Sequence, residues 1–245
     1  MSSTAAISTE ETEAGYRGND KLLLGIVLAV VTFWLFAGSA GTVAPSIMED
    51  INTTEEYVDA SSMNLAVSIT ALFSGLFIVL MGGLADRVGR VRITLIGIAI
   101  GVVGSVLLIF AGGSAALPLL LAGRALQGFS AACVMPATMA LVKTYWDGPA
   151  RQRAVSMWSI GSWGGSGLAA VFGGGVVRYV GWRGIFVASI VVSVIAFALI
   201  IGTPESKVDQ RGPRRSFDIL GLCLFVIGTL GLMIVLLFGS KIGWS

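Results

Sequence analysis

The chain has 245 residues, of which 55% are hydrophobic and only 12% charged, with 33 glycines and a net charge of +2. Its mean hydropathy of +0.88 excludes a soluble globular domain and leaves an all-α membrane protein that crosses the bilayer several times. The net charge says little about partners, and no nucleic acid is expected among them; the lipid bilayer is.

The first 21 residues form a polar, acidic tail. The uncharged run that follows, 22–48, is too long for the apolar part of a cleavable leader, so none is expected, and it predicts the first transmembrane helix. A loop with Glu49, Asp50, Glu55, Glu56 and Asp59 and no base separates it from a second run, 60–85. Next comes Gly82-Gly83-Leu84-Ala85-Asp86-Arg87-Val88-Gly89-Arg90-Val91-Arg92, a tight charged turn in which glycines let the backbone reverse and the charges resist lipid. The third run, 93–123, breaks at Ala111-Gly112-Gly113-Ser114, which divides a third helix from a fourth continuing through 125–142 with Arg124 inside it. Runs 154–177 and 184–204 predict helices five and six. The expected organisation is a six-helix unit over 22–204, a polar linker over 205–217, a seventh helix over 218–240 and the start of an external loop at 241–245.

Basic residues set the orientation. With the arginine-rich turn in the cytoplasm, twelve bases lie inside, three (Arg178, Arg183, Lys241) lie outside and Arg124 is embedded. That asymmetry predicts a cytoplasmic amino terminus in the cell membrane.

Sliding the chain on itself by 91 or 92 residues brings three patches into register. Val43-x-Pro45-x-x-Met48 falls on Val134-x-Pro136-x-x-Met139, Ser68-Ile69 and Ser74-Gly75-Leu76 on Ser159-Ile160 and Ser166-Gly167-Leu168, and Gly82-Gly83-x4-Val88-Gly89-x3-Ile93 on Gly174-Gly175-x4-Val180-Gly181-x3-Ile185. Three spans separate the copies, so the second enters from the opposite side. A 3+3 inverted repeat of this kind argues for alternating access.

Within the spans, Arg124, Gln127 and Ala131 share one face of helix 4, and an arginine at membrane depth is expensive unless it faces a partner or a wet cavity. Gly161, Gly165, Ala169 and Gly173 form a small-residue stripe on helix 5 that suits close helix approach. Trp34, Phe36, Trp158 and Trp163 offer apolar faces to an aromatic molecule. All 14 acidic residues lie in tails, loops or helix edges and there is no histidine, so no carboxylate or histidine cluster sits at membrane depth. Neither an enzyme, a metal site nor a cofactor is expected. Cys133 and Cys223 lie in spans and read as packing residues rather than a disulfide.

The turn pattern GxLADRxGRxR resembles the loop between helices 2 and 3 of the major facilitator superfamily of secondary transporters. The resemblance implies a six-helix amino-terminal domain whose gate turn holds Gly82, Asp86, Arg87, Gly89 and Arg90. Leu120-x-x-x-Arg124-x-x-Gln127-Gly128-x-Ser130-Ala131-Ala132 resembles the fourth-helix pattern LxxxRxxQGxGAA of proton-driven drug exporters, with serine at 130 where the family prefers glycine. It implies that Arg124 takes part in proton coupling beside Gln127 in the central cavity. The segment 158–167 with Phe172-Gly173-Gly174 resembles their motif GxxxGPxxGG, but Ala169-Ala170 replace Gly-Pro and remove the proline kink. Segments 21–37 and 68–75, Thr203-Pro204-Glu205-Ser206 and Phe217-Asp218-Ile219-x-Gly221 are similar to the quinolone-exporter branch of the 14-helix drug:proton antiporter family.

A seventh helix directly after a short linker suits the 14-helix plan. Many of those relatives have an aspartate nine residues before the helix-1 proline, where this chain has Phe36. The expectation is therefore the amino-terminal half of a proton-coupled multidrug antiporter about twice as long. Its substrate would be small and amphipathic, its energy source the proton gradient, and a missing carboxy-terminal half its partner. The alternatives are a metabolite exporter or uniporter of the same superfamily and a truncated membrane partner that transports nothing.

Overall fold

Uncharged runs leave the backbone in lipid no hydrogen-bond partner but itself, and every regular element among the described residues is helical. The computed structural model describes residues 16–53, 57–207 and 219–238, without the side chains of 36–38, 166, 168, 170, 172, 222, 223, 233, 234 and 236–238. Most of the expected tail and linker, and all of 241–245, lie outside the described residues.

Helix α1 (Asp20–Ile51) begins where the Asn19 side chain accepts a hydrogen bond from the Leu22 amide at 2.8 Å. It contains Pro45, and its arms Asp20–Leu35 and Ser39–Ile51 meet at 49°. Helix α2 (Ala60–Val88) starts behind Asp59, whose carboxyl is held below the usual carboxylate range by hydrogen bonds from the Ser62 side chain and from the amides of Ser61 and Ser62. Gly89, at φ 132°, ends α2, and α3 (Arg90–Ile109) starts at the next residue. A 3₁₀ turn (Gly113–Ala115) leads into α4 (Ala116–Tyr145), which contains Pro136. The fifth helical run comprises α5 (Gly148–Ser159), a π-helical stretch (Ile160–Gly164) and α6 (Gly165–Val180). Then follow α7 (Arg183–Ile200) and α8 (Ile219–Phe238). Several of these helices run beyond the charge-free stretches, α1 from Asp20 to Ile51 and α2 from Ala60 to Val88 among them.

Among the described residues four helices, α2, α3, α4 with its 3₁₀ turn, and α7, are long and apolar enough to cross a membrane; α1 makes a fifth if its two arms are one span. The π stretch divides the fifth run into pieces of 12 and 16 residues, each short of a span alone, and α8 is a charge-free helix of 20 residues.

Helix α4 packs between α2 and α3, α1 packs against α6 and α7, and α3 with α7 joins the two groups. Among the described residues two large apolar cores result, with a smaller cluster of Ala85, Ile93, Cys133 and Ala137 where α2, α3 and α4 meet. One, toward the Arg90 end of the bundle, gathers Leu22, Ile26, Val91, Leu141 and Ile200; the other, toward the Arg183 end, gathers Val43, Ile47, Leu108, Leu120, Ile185 and Phe186. Lipid offers no hydrophobic drive between helices, so α3 and α4 join through close contact instead. A Cβ on Gly97 would sit 2.7 Å from that of Cys133, and one on Gly104 only 2.8 Å from the Gly123 carbonyl oxygen. Ser130 lies on this seam and donates to the Gly97 carbonyl at 2.6 Å, which gives the serine at that position its purpose.

Candidate functional site

The polar centre of the bundle is built on α4. Arg124 is 4% exposed and Gln127 2%, so the arginine does not reach for water. Its Nη1 donates to Gln127 Oε1 at 2.9 Å, its Nε to the Ala66 carbonyl at 3.3 Å and its Nη2 to the Val67 carbonyl at 3.5 Å. Gln127 Nε2 passes the chain on to Ser105 Oγ at 3.3 Å, and that hydroxyl donates to the Gly101 carbonyl at 2.8 Å. Thr70 locks α2 to the same place by donating to the Arg124 carbonyl at 2.9 Å. Arg124 thus points into the α2–α4 seam. Gln127 also borders a small cavity among α1, α3, α4 and α7, lined by Thr32, Phe33, Ser130 and Ser193, whose volume of about 20 Å³ admits one water molecule. A guanidinium buried at this depth interacts strongly with any anion or carboxylate brought near it.

The gate turn is a second cluster. Arg90 bonds Asp86 Oδ1 through Nε and Nη2, both at 2.8 Å, and its Nη1 donates to Thr144 at 2.5 Å and Ser206 at 3.3 Å. Its own amide donates to the Ser206 carbonyl at 3.0 Å. Glu205 caps the start of α3, its carboxylate accepting the amides of Val91 at 2.9 Å and Arg92 at 3.1 Å, as an anion does at a positive helix end. A Cβ on Gly89 would run into that carboxylate, so glycine is required both by the positive φ and by the space. Gly82 lets α2 lie against Pro136, and Arg87 is exposed. Tyr145 closes the arrangement by donating its hydroxyl to the Pro204 carbonyl.

The small stripe of helix 5 faces α1: Gly161 meets Val27, Gly165 meets Trp34 and Gly173 meets Ser39, with Ala169 buried among them. Gly174 looks into open space. Trp34 donates from Nε1 to Ser162 at 2.9 Å and stacks on Trp163 with centroids 6.1 Å apart, while Trp163 stays 74% exposed on the π stretch. Trp158 is separate, donating to Thr138 at 3.1 Å beside the core at the Arg90 end. The side chains of Phe36 and Ala170 lie outside the described residues. Thr144, Glu205, Ser206, Thr70 and Ser105 were not expected at these sites. For Glu205 the sequence held one signal, an acid directly after the proline that ends a span.

A bundle of long apolar helices around a buried cation, with a charged turn pinned at one end, defines a multi-pass membrane protein of the transporter type. The Major Facilitator Superfamily pattern matches residues 22–245, and the chain belongs to that superfamily. The quinolone resistance protein NorB of Staphylococcus aureus strain MSSA476 is 52% identical over 231 residues, covering 94% of this chain and 48% of that protein. Its counterpart in strain Newman is 52% identical over 229 residues, covering 93% and 47%. The chain spans about half the length of the curated relatives it matches. A crystal structure of the peptide transporter POT in complex with sulfate superposes with a TM-score of 0.67 at 16% identity, covering 96% of this chain and 50% of the other. The POT family transporter PepTSo does so at 0.64 and 18%, covering 93% and 49%. At such identities the two structures speak for the fold alone.

Proposed function

We propose that this chain is the amino-terminal half of a proton-coupled efflux antiporter for small amphipathic drugs, quinolones among them, in the cell membrane with its amino terminus in the cytoplasm. The observation that carries the reading is the buried Arg124–Gln127 pair, with Gln127 bordering a small cavity, because an arginine held at membrane depth is a functional group by default. The 52% identity to NorB supports quinolones as members of the drug class. Trp34 and Trp163, stacked and partly open, provide an aromatic shelf for a planar substrate. The Asp86–Arg90 cluster closes the cytoplasmic side against the second half.

Asp86→Asn keeps the size of the side chain and removes its charge. In cells making the full gene product it should raise accumulation of a fluorescent quinolone toward that of cells lacking the protein, at unchanged membrane abundance. Undiminished efflux by that variant would remove the turn from the mechanism. Efflux that a protonophore leaves untouched, in the parent protein, would replace proton coupling by uniport.

A further inference from the structure

The turn after α6 is built like the turn after α2. Each helix ends at a valine, Val88 or Val180, before a glycine of positive φ, 132° at Gly89 and 78° at Gly181. Each glycine amide donates four residues back, to Ala85 at 3.0 Å or Val177 at 3.1 Å. These positions differ by 92 residues, the offset at which the sequence matches itself. The packing follows the same exchange, since α2 and α3 flank α4 while α6 and α7 flank α1.

At the first turn Arg90 ties the end of α4, through Thr144, to the chain just beyond α7, through Ser206. Under the exchange, an arginine at the second turn should tie the end of α1 to the chain just beyond α3. Arg183 does so. Its Nη1 pairs with Asp50 Oδ2 at 2.5 Å near the end of α1, and its Nε and Nη2 donate to the carbonyls of Ile109 and Ala111, each at 3.0 Å, where α3 ends. Trp182, which occupies the position 92 residues after Arg90, donates to the same Asp50 Oδ2 at 3.1 Å, and the guanidinium lies 4.3 Å from its ring centroid.

We infer that Arg183, Asp50 and Trp182 form a latch that fastens the arm Ser39–Ile51 of α1 to the adjoining ends of α3 and α7. That arm needs fastening, because it leaves the rest of α1 at 49° and Pro45 removes a backbone hydrogen bond within it. Arginine suits the task, since its planar fork reaches a carboxylate and two carbonyls together. The latch fixes which parts of the Arg183 end move as one body, whatever the substrate.

Spin labels at Glu49→Cys on α1 and Val187→Cys on α7, in the full gene product with Cys133 and Cys223 replaced by alanine, read this directly. The parent should give one narrow distance distribution, and Arg183→Ala one about twofold broader, because the arm is freed locally. Asp50→Asn should broaden it less, and Arg178→Ala, at a nearby exposed arginine, not at all. A distribution unchanged by Arg183→Ala, or broadened equally by Arg178→Ala, overturns the latch. If Arg183→Ala fails to reach the membrane, Asp50→Asn decides, and an unchanged distribution then overturns it.

Discussion

Glu205 and Gly89 meet at the start of α3, and each has a distinct measurable consequence. A carboxylate at a partly buried helix amino terminus contributes about 0.3 to 2 kcal/mol, so Glu205→Gln should lower the thermal midpoint of the purified protein modestly. Gly89→Ala should cost more, about 1 to 3 kcal/mol, because a Cβ both strains the backbone at φ 132° and displaces the carboxylate. Equal midpoints for the parent and Gly89→Ala would show that the cap does not hold the turn. The sequence made the glycine legible through its place in the charged turn. It marked Glu205 only as an acid after a span-ending proline and not its partner, because 113 residues separate the acid from the Arg92 amide it accepts and no local pattern records that distance. Arg124 was legible for the opposite reason: a charge inside an apolar run stands out whatever surrounds it. Its direction, into the α2–α4 seam, depends on carbonyls of Ala66 and Val67 that no side-chain pattern announces.

At the scale of elements, the α3–α4 seam carries the packing that lipid cannot. Ser130→Ala removes one hydrogen bond to the Gly97 carbonyl and should cost about 1 kcal/mol. Gly104→Val has no room beside the Gly123 carbonyl and should drive the helices apart, lowering the yield of folded protein far more than Ser130→Ala does. Comparable stability of the two variants, measured by thermal unfolding in detergent, would show that the seam is loose. Helix existence and the break near residue 112 were readable from charge-free runs and glycines. The π stretch at Ile160–Gly164 was not, because no local residue pattern marks a widened turn; Gly161 within it and Gly165 after it lie against Val27 and Trp34 of α1, contacts more than a hundred residues away in the chain. The stripe facing α1 was legible as a face, and its partner was not.

For the whole molecule, orientation comes first. Single cysteines at exposed Thr53 and Lys207, Thr53→Cys and Lys207→Cys, should differ toward an impermeant thiol reagent on intact cells, with only the first labelled. Labelling of the second alone would invert the bundle and move the Arg90 cluster to the outer face. The most direct test of the account as a whole is quinolone uptake by everted vesicles under an imposed pH gradient, with the full gene product and its Arg124→Ala variant at matched abundance. The parent should accumulate the drug and lose it when the gradient is collapsed. Arg124→Ala should not accumulate it, because a carboxylate or anionic group that meets the buried cation is then left uncompensated at a cost of several kcal/mol. Gradient-driven accumulation at the parent's rate by Arg124→Ala would contradict the coupling role assigned to the centre of the bundle.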